Sequence, residues 1–268
     1  MDGEVSYLNG KTRLFGIVGD PIEQVKSPEI VTYEMQQRGI NAILVPIHIA
    51  QTDFDTVIPE ILRVQNLDGL IFTIPFKARA VQYAHQLGPQ AQAIGVINTL
   101  VKKSNGSWIG EMFDGLGCVE SFKRKNIPLQ GQKIMMMGLG GAGSAIAAAI
   151  AAEHPRSMRI FDLDPSRCER IQNIIQGISP SIQVDIGSPI VEGMNVLINA
   201  TPVGMLDDPR VPINVKQLPS SLAVFEIIVK PENTPLLKIA RASGCRVITG
   251  REMMLGQIKR IVDFFMEP

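Results

Sequence analysis

Short apolar runs alternate with longer amphipathic stretches along most of this chain. The runs Leu14–Val18, Ala42–Ile47, Gly69–Thr73, Lys133–Met137, Met158–Asp162, Val196–Asn199, Val224–Ile228 and Arg246–Thr249 have the length and branched apolar character of buried strands. Between them, Pro28–Arg38, Phe54–Val64, Ala142–Glu153, Pro165–Gln176 and Thr234–Ser243 read as helices. Strands separated by helices need crossover connections, which predicts an α/β fold on mainly parallel sheets covered on both faces.

One segment breaks the alternation. Val96–Trp108 reads as two extended pieces around the turn Lys102–Ser107, with Asn105-Gly106 as a hairpin signal. A helix follows over Gly115–Lys125, and the loop Pro128–Gln130 leads into the next strand. This change of pattern puts a domain boundary near residue 110, with one domain over 1–110 and another over 111–250. The final amphipathic stretch, Arg251–Phe265, is expected to form a terminal helix, and the segment 251–268 to pack back on the first domain.

Length and charge then narrow the function. At 268 residues the chain is long enough for two modest domains. Lys plus Arg (26) equals Asp plus Glu (26), and aromatic residues make up 5%, so there is neither a polyanion footprint nor a set of stacking platforms. No nucleic-acid partner is expected. Cys118, Cys168 and Cys245 stand far apart and outside any C-x-x-C spacing, which argues against a disulfide framework or a zinc site. Met1–Lys11 is polar and does not read as a signal peptide, and the run Ala145–Ala152 is far short of the about 20 apolar residues that cross a bilayer. The expectation is a cytoplasmic protein, monomeric or homodimeric, with no membrane partner and no metal. His48, His85 and His154 are isolated and read as structural or surface residues.

The strongest local motif is Gly138-Leu139-Gly140-Gly141-Ala142-Gly143, a G-x-G-x-x-G directly after an apolar strand and before a small-residue helix. Gly138 permits a tight turn, Gly140 lets a pyrophosphate approach the backbone, and Gly143 lets helix and strand pack closely; Gly141 and Ala142 open the helix whose N-terminus attracts phosphate. Asp162, about 20 residues past the loop, stands where a carboxylate accepts hydrogen bonds from adenosine ribose hydroxyls. It would repel a 2′-phosphate, so the expected cofactor is NAD in preference to NADP. Arg159 and Arg167 keep NADP as the alternative, and helix capping is the other role open to Asp162.

Two further residues invite chemistry without declaring it. Lys77 follows the proline-fixed turn Thr73-Ile74-Pro75-Phe76, and Asp114 sits in the glycine-flanked segment Gly110–Gly117. Taken alone, a lysine after a turn is a solvated surface residue, and Asp before Gly is a turn former or an N-cap.

The order of segments, however, resembles the shikimate dehydrogenase family, including its quinate/shikimate branch. The matching pieces are Gly19-Asp20-Pro21-Ile22 with Lys26-Ser27-Pro28, Thr73–Lys77, Ala93–Thr99, and Asp114 with Gly117. The glycine loop follows, then Asn199-Ala200-Thr201-Pro202-Val203-Gly204-Met205, Asn233–Leu237, and Gly250 with Met254-Leu255 and Gln257. The resemblance implies an N-terminal α/β substrate domain, a Rossmann-type nucleotide domain and a cleft between them. It also implies that Lys77 exchanges a proton with the reacting hydroxyl and that Asp114 orients Lys77. By the same resemblance Ser27, Thr73, Asn98 and Gln257 contact the substrate, and Thr201, Pro202, Val203 and Met205 lie near the nicotinamide.

The chain departs from the family pattern where polar groups would be expected. Val25 replaces the first of two serines, Ile71 an asparagine, Met112-Phe113 an Asn-Thr pair, and Val229 a tyrosine. The usual Asn-Arg-Thr after the second nucleotide-domain strand reads Asp162-Leu163-Asp164, as in NAD-using members. The implied function is NAD-dependent oxidation of shikimate, quinate or a related small cyclic hydroxy compound. The alternatives are a paralogue acting on a less polar alcohol and a nucleotide-binding sensor without turnover.

Overall fold

The structure is a computed structural model that describes residues 8–267. Residues 1–7, part of the segment read above for a signal peptide, and Pro268 lie outside the described residues. The chain forms two compact units, one of residues 1–113 and 258–268 and the other of Asp114–Gln257. Among the described residues, no helix is long and apolar enough to cross a membrane.

The first unit runs β1 (Arg13–Gly19), α1 (Ser27–Gln37), β2 (Ala42–His48), α2 (Phe54–Ile61) and β3 (Leu67–Phe72). A 3-10 turn over Arg79–Tyr83 precedes β4 (Gln86–Leu87), α3 (Pro89–Ile94), β5 (Thr99–Lys102) and β6 (Trp108–Glu111). The sheet order is β2-β1-β3-β5-β6-β4. β1 is parallel to β2 and β3, whereas β5 is antiparallel to both β3 and β6. This sheet is therefore mixed, because β5 and β6 are joined by a hairpin rather than a crossover. Its turn closes through Lys103 N–H to Ser107 O (2.8 Å) and Gly106 N–H to Lys103 O (2.8 Å), with Gly106 at φ 83°. Phe76 stacks on Phe54 at 4.2 Å between centroids, and Phe15 meets Phe265 at 4.4 Å.

The second unit contains α4 (Asp114–Arg124), β7 (Lys133–Met137), α5 (Gly141–Ala151), β8 (Ser157–Phe161), α6 (Pro165–Ile178) and β9 (Gln183–Ile186). It continues with β10 (Val196–Asn199), β11 (Ala223–Glu226), α7 (Pro235–Ala242), β12 (Arg246–Ile248) and the start of α8 (Gly250–Met266). The strand order β12-β11-β10-β7-β8-β9 is parallel throughout. The chain begins at a central strand, winds outward on one side through β8 and β9, then returns to wind outward on the other. In such a doubly wound sheet, ligands bind beyond the carboxyl ends of the strands where the order reverses, here β7 and β10. Met135, Met136 and Met137 are core residues at 0–1% exposure: Met136 packs with the alanine-rich α5, and Met135 and Met137, on the opposite face, with Leu236, Leu237 and Ala240 of α7. β9 has no counterpart among the strands read from sequence: as an exposed edge strand it keeps Gln183 and Asp185, so no apolar run marks it.

Candidate functional site

The reversal point of the second sheet is built from backbone. Gly138, directly after β7, adopts φ 87°, and a methyl there would come within 2.7 Å of the Ala200 carbonyl carbon and the Thr201 nitrogen. A methyl on Gly143 would collide with the Gly138 carbonyl oxygen, so α5 starts hard against the end of β7. Gly140 differs from both. Its φ of −67° suits any residue, and a methyl there would meet nothing within 4 Å. The protein itself does not require glycine at 140, whereas a phosphate lying on the backbone would. The first amides of α5, from Gly141, Ala142 and Gly143, carry no side-chain cap, and there is no acidic residue in the first turn. These features fit a dinucleotide's pyrophosphate.

Asp162 stands just beyond β8 with its side chain only 9% exposed. Its Oδ2 accepts from the Leu139 amide at 2.7 Å and its Oδ1 from the Asp164 amide at 3.0 Å, so the carboxylate holds the glycine loop in place. Capping of α6 falls to Asp164, which accepts from the Ser166 amide (3.0 Å) and hydroxyl (2.6 Å); these bonds hold its carboxyl below the ordinary value. Arg167 lies between the two carboxylates, 3.6 Å from Asp162 and 3.4 Å from Asp164. Arg159, considered above as a phosphate ligand, sits within β8 instead and pairs with Asp185 on β9 at 3.1 Å. Arg170, not singled out by the sequence, reaches from α6 to the buried Ser144 hydroxyl (2.9 Å), which itself donates to Leu139 O (2.9 Å).

On the other side of the reversal point, Asn199 closes β10 and pairs in register with Glu226, the last residue of β11. Asn199 Oδ1 accepts from the Thr201 amide (3.0 Å) and hydroxyl (2.7 Å), and Thr201 Oγ1 accepts from the Val203 amide (3.2 Å). The segment Thr201–Val203 is thus a side-chain-braced turn packed on Gly138. Pro202 is exposed, while Thr201, Val203 and Met205 are half-buried.

In the first unit, Lys77 is half-buried behind the fully buried Phe76. Its carbonyl accepts from the Ile97 amide at 3.1 Å, while the Thr73 amide donates to Val18 O at 2.9 Å. Asn98, 2% exposed, accepts at Oδ1 from the Phe113 amide and the Thr99 hydroxyl, both at 3.0 Å. Within the first unit, then, the Lys77 carbonyl is tied to Ile97, and the side chain of the next residue, Asn98, to the Phe113 amide. Ser27 opens α1 and is half-buried.

Asp114, 3% exposed, opens α4 in the second unit. That helix lies tight on its neighbours: a methyl at Gly115 would collide with Ala145 O, and one at Gly117 would come within 2.7 Å of Met253 O and 3.0 Å of Gln257 Cβ. Gln257 is thereby placed against α4, one turn from Asp114. Burial, then the nearby Asp114 charge, pushes the Cys118 thiol up, so it is not a nucleophile.

Several departures from the family pattern turn out to be packing. Phe113 is 6% exposed with its ring edge-on to Phe264 at 5.5 Å, and Met112 is 1% exposed. Ile71 lies within β3 between Ile17 and Thr99 at 5% exposure. Of the changed positions expected to face substrate, Val25 and Val229 are half-buried. Among the described residues, no group of three or more His, Cys, Asp or Glu side chains is arranged to hold a metal ion.

Comparison with known proteins agrees with this architecture. Residues 17–100 match the model of the shikimate dehydrogenase substrate binding domain. The shikimate dehydrogenase (NADP(+)) of Alkaliphilus oremlandii is 30% identical over 98% of this chain and 95% of its own. The chain belongs to the shikimate dehydrogenase family. Its counterpart from Pyrococcus furiosus is 31% identical over 93% of this chain and 89% of its own. The fold is shared with Listeria monocytogenes shikimate 5-dehydrogenase, crystallised with shikimate and NAD, at TM-score 0.83 and 24% identity over 96% and 93% of the two chains. As a member of the shikimate dehydrogenase family, the protein is an oxidoreductase acting on CH–OH groups.

Proposed function

We propose that the protein is an NAD-preferring dehydrogenase interconverting a ring hydroxyl and ketone of shikimate, quinate or a related cyclic hydroxy compound. The observation that carries the cofactor choice is the pair of carboxylates, Asp162 and Asp164, flanking Arg167 at the end of β8. A ribose diol can donate to a carboxylate there, whereas a 2′-phosphate would meet two negative charges and an arginine already paired. The relatives named for NADP(+) make this a real choice rather than a family default.

In this reading the glycine loop and first amides of α5 hold the pyrophosphate, and Thr201, Pro202, Val203 and Met205 receive the nicotinamide end. Bound NAD supplies a hydride acceptor. Lys77 takes the hydroxyl proton as the carbonyl forms, and Asp114 holds the Lys77 ammonium in orientation and hydrogen-bonds the substrate. Ser27, Thr73, Asn98 and Gln257 bind the remaining polar groups.

A second reading, a less polar alcohol as substrate, is favoured by Val25 and Val229, the changed positions that remain half-buried where the family pattern has hydroxyl groups. Initial rates with NAD and NADP over shikimate, quinate and neutral cyclic polyols test both. NAD should give the faster turnover, and the carboxylated compounds should bind weakly because two of three hydroxyls are missing. Equal or faster turnover with NADP overturns the cofactor choice, and a neutral polyol outrunning both acids selects the second reading.

A further inference from the structure

Glu226 is fully buried, at 0% exposure, at the carboxyl end of β11, and it belongs to none of the roles above. Every group on its carboxylate is a donor. Asn199 Nδ2 reaches both oxygens at 2.9 and 3.1 Å, the Thr234 hydroxyl donates at 3.0 Å, and the Ile228 amide at 3.2 Å. Thr234 meanwhile caps α7 by accepting from the Leu237 amide at 3.2 Å. An acceptor-only partner forces one orientation on the Asn199 amide, nitrogen toward Glu226 and oxygen toward Thr201. With the amide turned over, the Thr201 amide and hydroxyl would face an NH2 group and the turn over Thr201–Val203 would lose its brace.

We propose that Glu226 is a positioning residue for the cofactor, fixing the Asn199 amide and through it the turn that receives the nicotinamide end of the dinucleotide. The proposal rests on the reading of Thr201–Met205 as the nicotinamide loop. Burial pushes the Glu226 carboxyl up to about 7, against the pull of its hydrogen bonds. The groups that act on it, Asn199 from β10, Thr234 from the start of α7 and the amides of Ile227 and Ile228, are all uncharged. The carboxylate, and with it the fixed amide, therefore prevails on the alkaline side of neutrality.

The test compares NAD with ADP-ribose, which lacks nicotinamide, by calorimetric titration of the full chain. In the unmodified protein NAD should bind more tightly than ADP-ribose, and the ratio should be larger at pH 8.5 than at pH 6. Glu226→Gln presents an NH2 group to Asn199 and should shrink that ratio roughly tenfold while leaving ADP-ribose affinity unchanged. The double variant Glu226→Gln/Asn199→Asp restores one acceptor facing one donor and should recover most of the ratio. Equal NAD and ADP-ribose affinity in the unmodified protein would refute the nicotinamide-loop reading itself. A clear NAD advantage that is insensitive to pH, or unchanged in Glu226→Gln, overturns the proposal while leaving that reading standing. Parallel loss of both ligands in the single and double variants also overturns it, since it would mark Glu226 as general support for the fold.

Discussion

Two alanine substitutions three residues apart should have opposite consequences. At Gly140 the backbone is ordinary and a methyl meets no protein atom within 4 Å. Gly140→Ala should leave the melting temperature within a degree or two, because the reduced freedom of the unfolded chain (about 0.4–1 kcal/mol in its favour) offsets the poorer helix N-cap. The same methyl would stand where a pyrophosphate approaches the backbone. Displacing a ligand by a fraction of an ångström costs about 1–3 kcal/mol, so NAD affinity should fall roughly 10- to 100-fold. At Gly143 the methyl would collide with the carbonyl oxygen of Gly138, which is backbone and cannot swing aside. Gly143→Ala should therefore cost stability, about 2 kcal/mol or more, and lower the melting temperature by several degrees. Differential scanning fluorimetry with and without NAD, together with calorimetric titration, reads both effects. Undiminished NAD affinity in a well-folded Gly140→Ala would show that the dinucleotide does not lie on this loop.

Lys77→Ala should abolish turnover while NAD affinity stays within about twofold; retained activity in steady-state assays would remove the lysine from proton transfer. Asp162→Ala should narrow the NAD-to-NADP rate ratio and also destabilise the protein by about 1–3 kcal/mol, because the buried Leu139 amide loses its acceptor. A change in the ratio without any loss of stability would contradict the loop-anchoring geometry. Glu226 adds a signature to stability against pH. A carboxyl raised from 4.5 to about 7 binds more protons in the folded than in the unfolded state over that interval, so its contribution is present at acid pH and is lost as pH rises through about 7. The slope, of order 3 kcal/mol in total, should be absent from denaturant titrations of Glu226→Gln.

The strands and helices of the second unit were legible because each buried element carries an uninterrupted pattern. Met135–Met137 and the alanines of α5 have no polar alternative to the core. β9 escaped because an edge strand with one face in water needs no apolar run, and the two-residue β4 because it is shorter than any pattern. The glycine loop declared itself, and Gly138 and Gly143 have the tight surroundings its spacing demands. Side-chain direction was not legible. Arg159 and Arg167 look alike in sequence, yet one lies within a strand bonded to Asp185 and the other at its end between two carboxylates. Phe113 stands where the family pattern is polar, and only the structure shows its ring against Phe264. Glu226 passed unnoticed although a lone acid ending the apolar strand Ala223–Glu226 was a usable signal, since burying such a group requires donors around it.

The carboxyl edge of the second sheet carries two acids in different work. Asp162 fastens the glycine loop from the β8 side, and Glu226 fastens Asn199 from the β11 side, beside the turn proposed to receive the nicotinamide. Gly138 stands between the two, where even a methyl group would collide with the backbone of Ala200 and Thr201. Replacing Asp162 to admit a 2′-phosphate would therefore also remove a brace from the glycine loop proposed to hold the pyrophosphate. On the proposed reading, one surface substitution at this edge would not exchange NAD for NADP. A second change would have to satisfy the Leu139 amide, so the proposed cofactor preference and the stability of the loop would be coupled through Asp162.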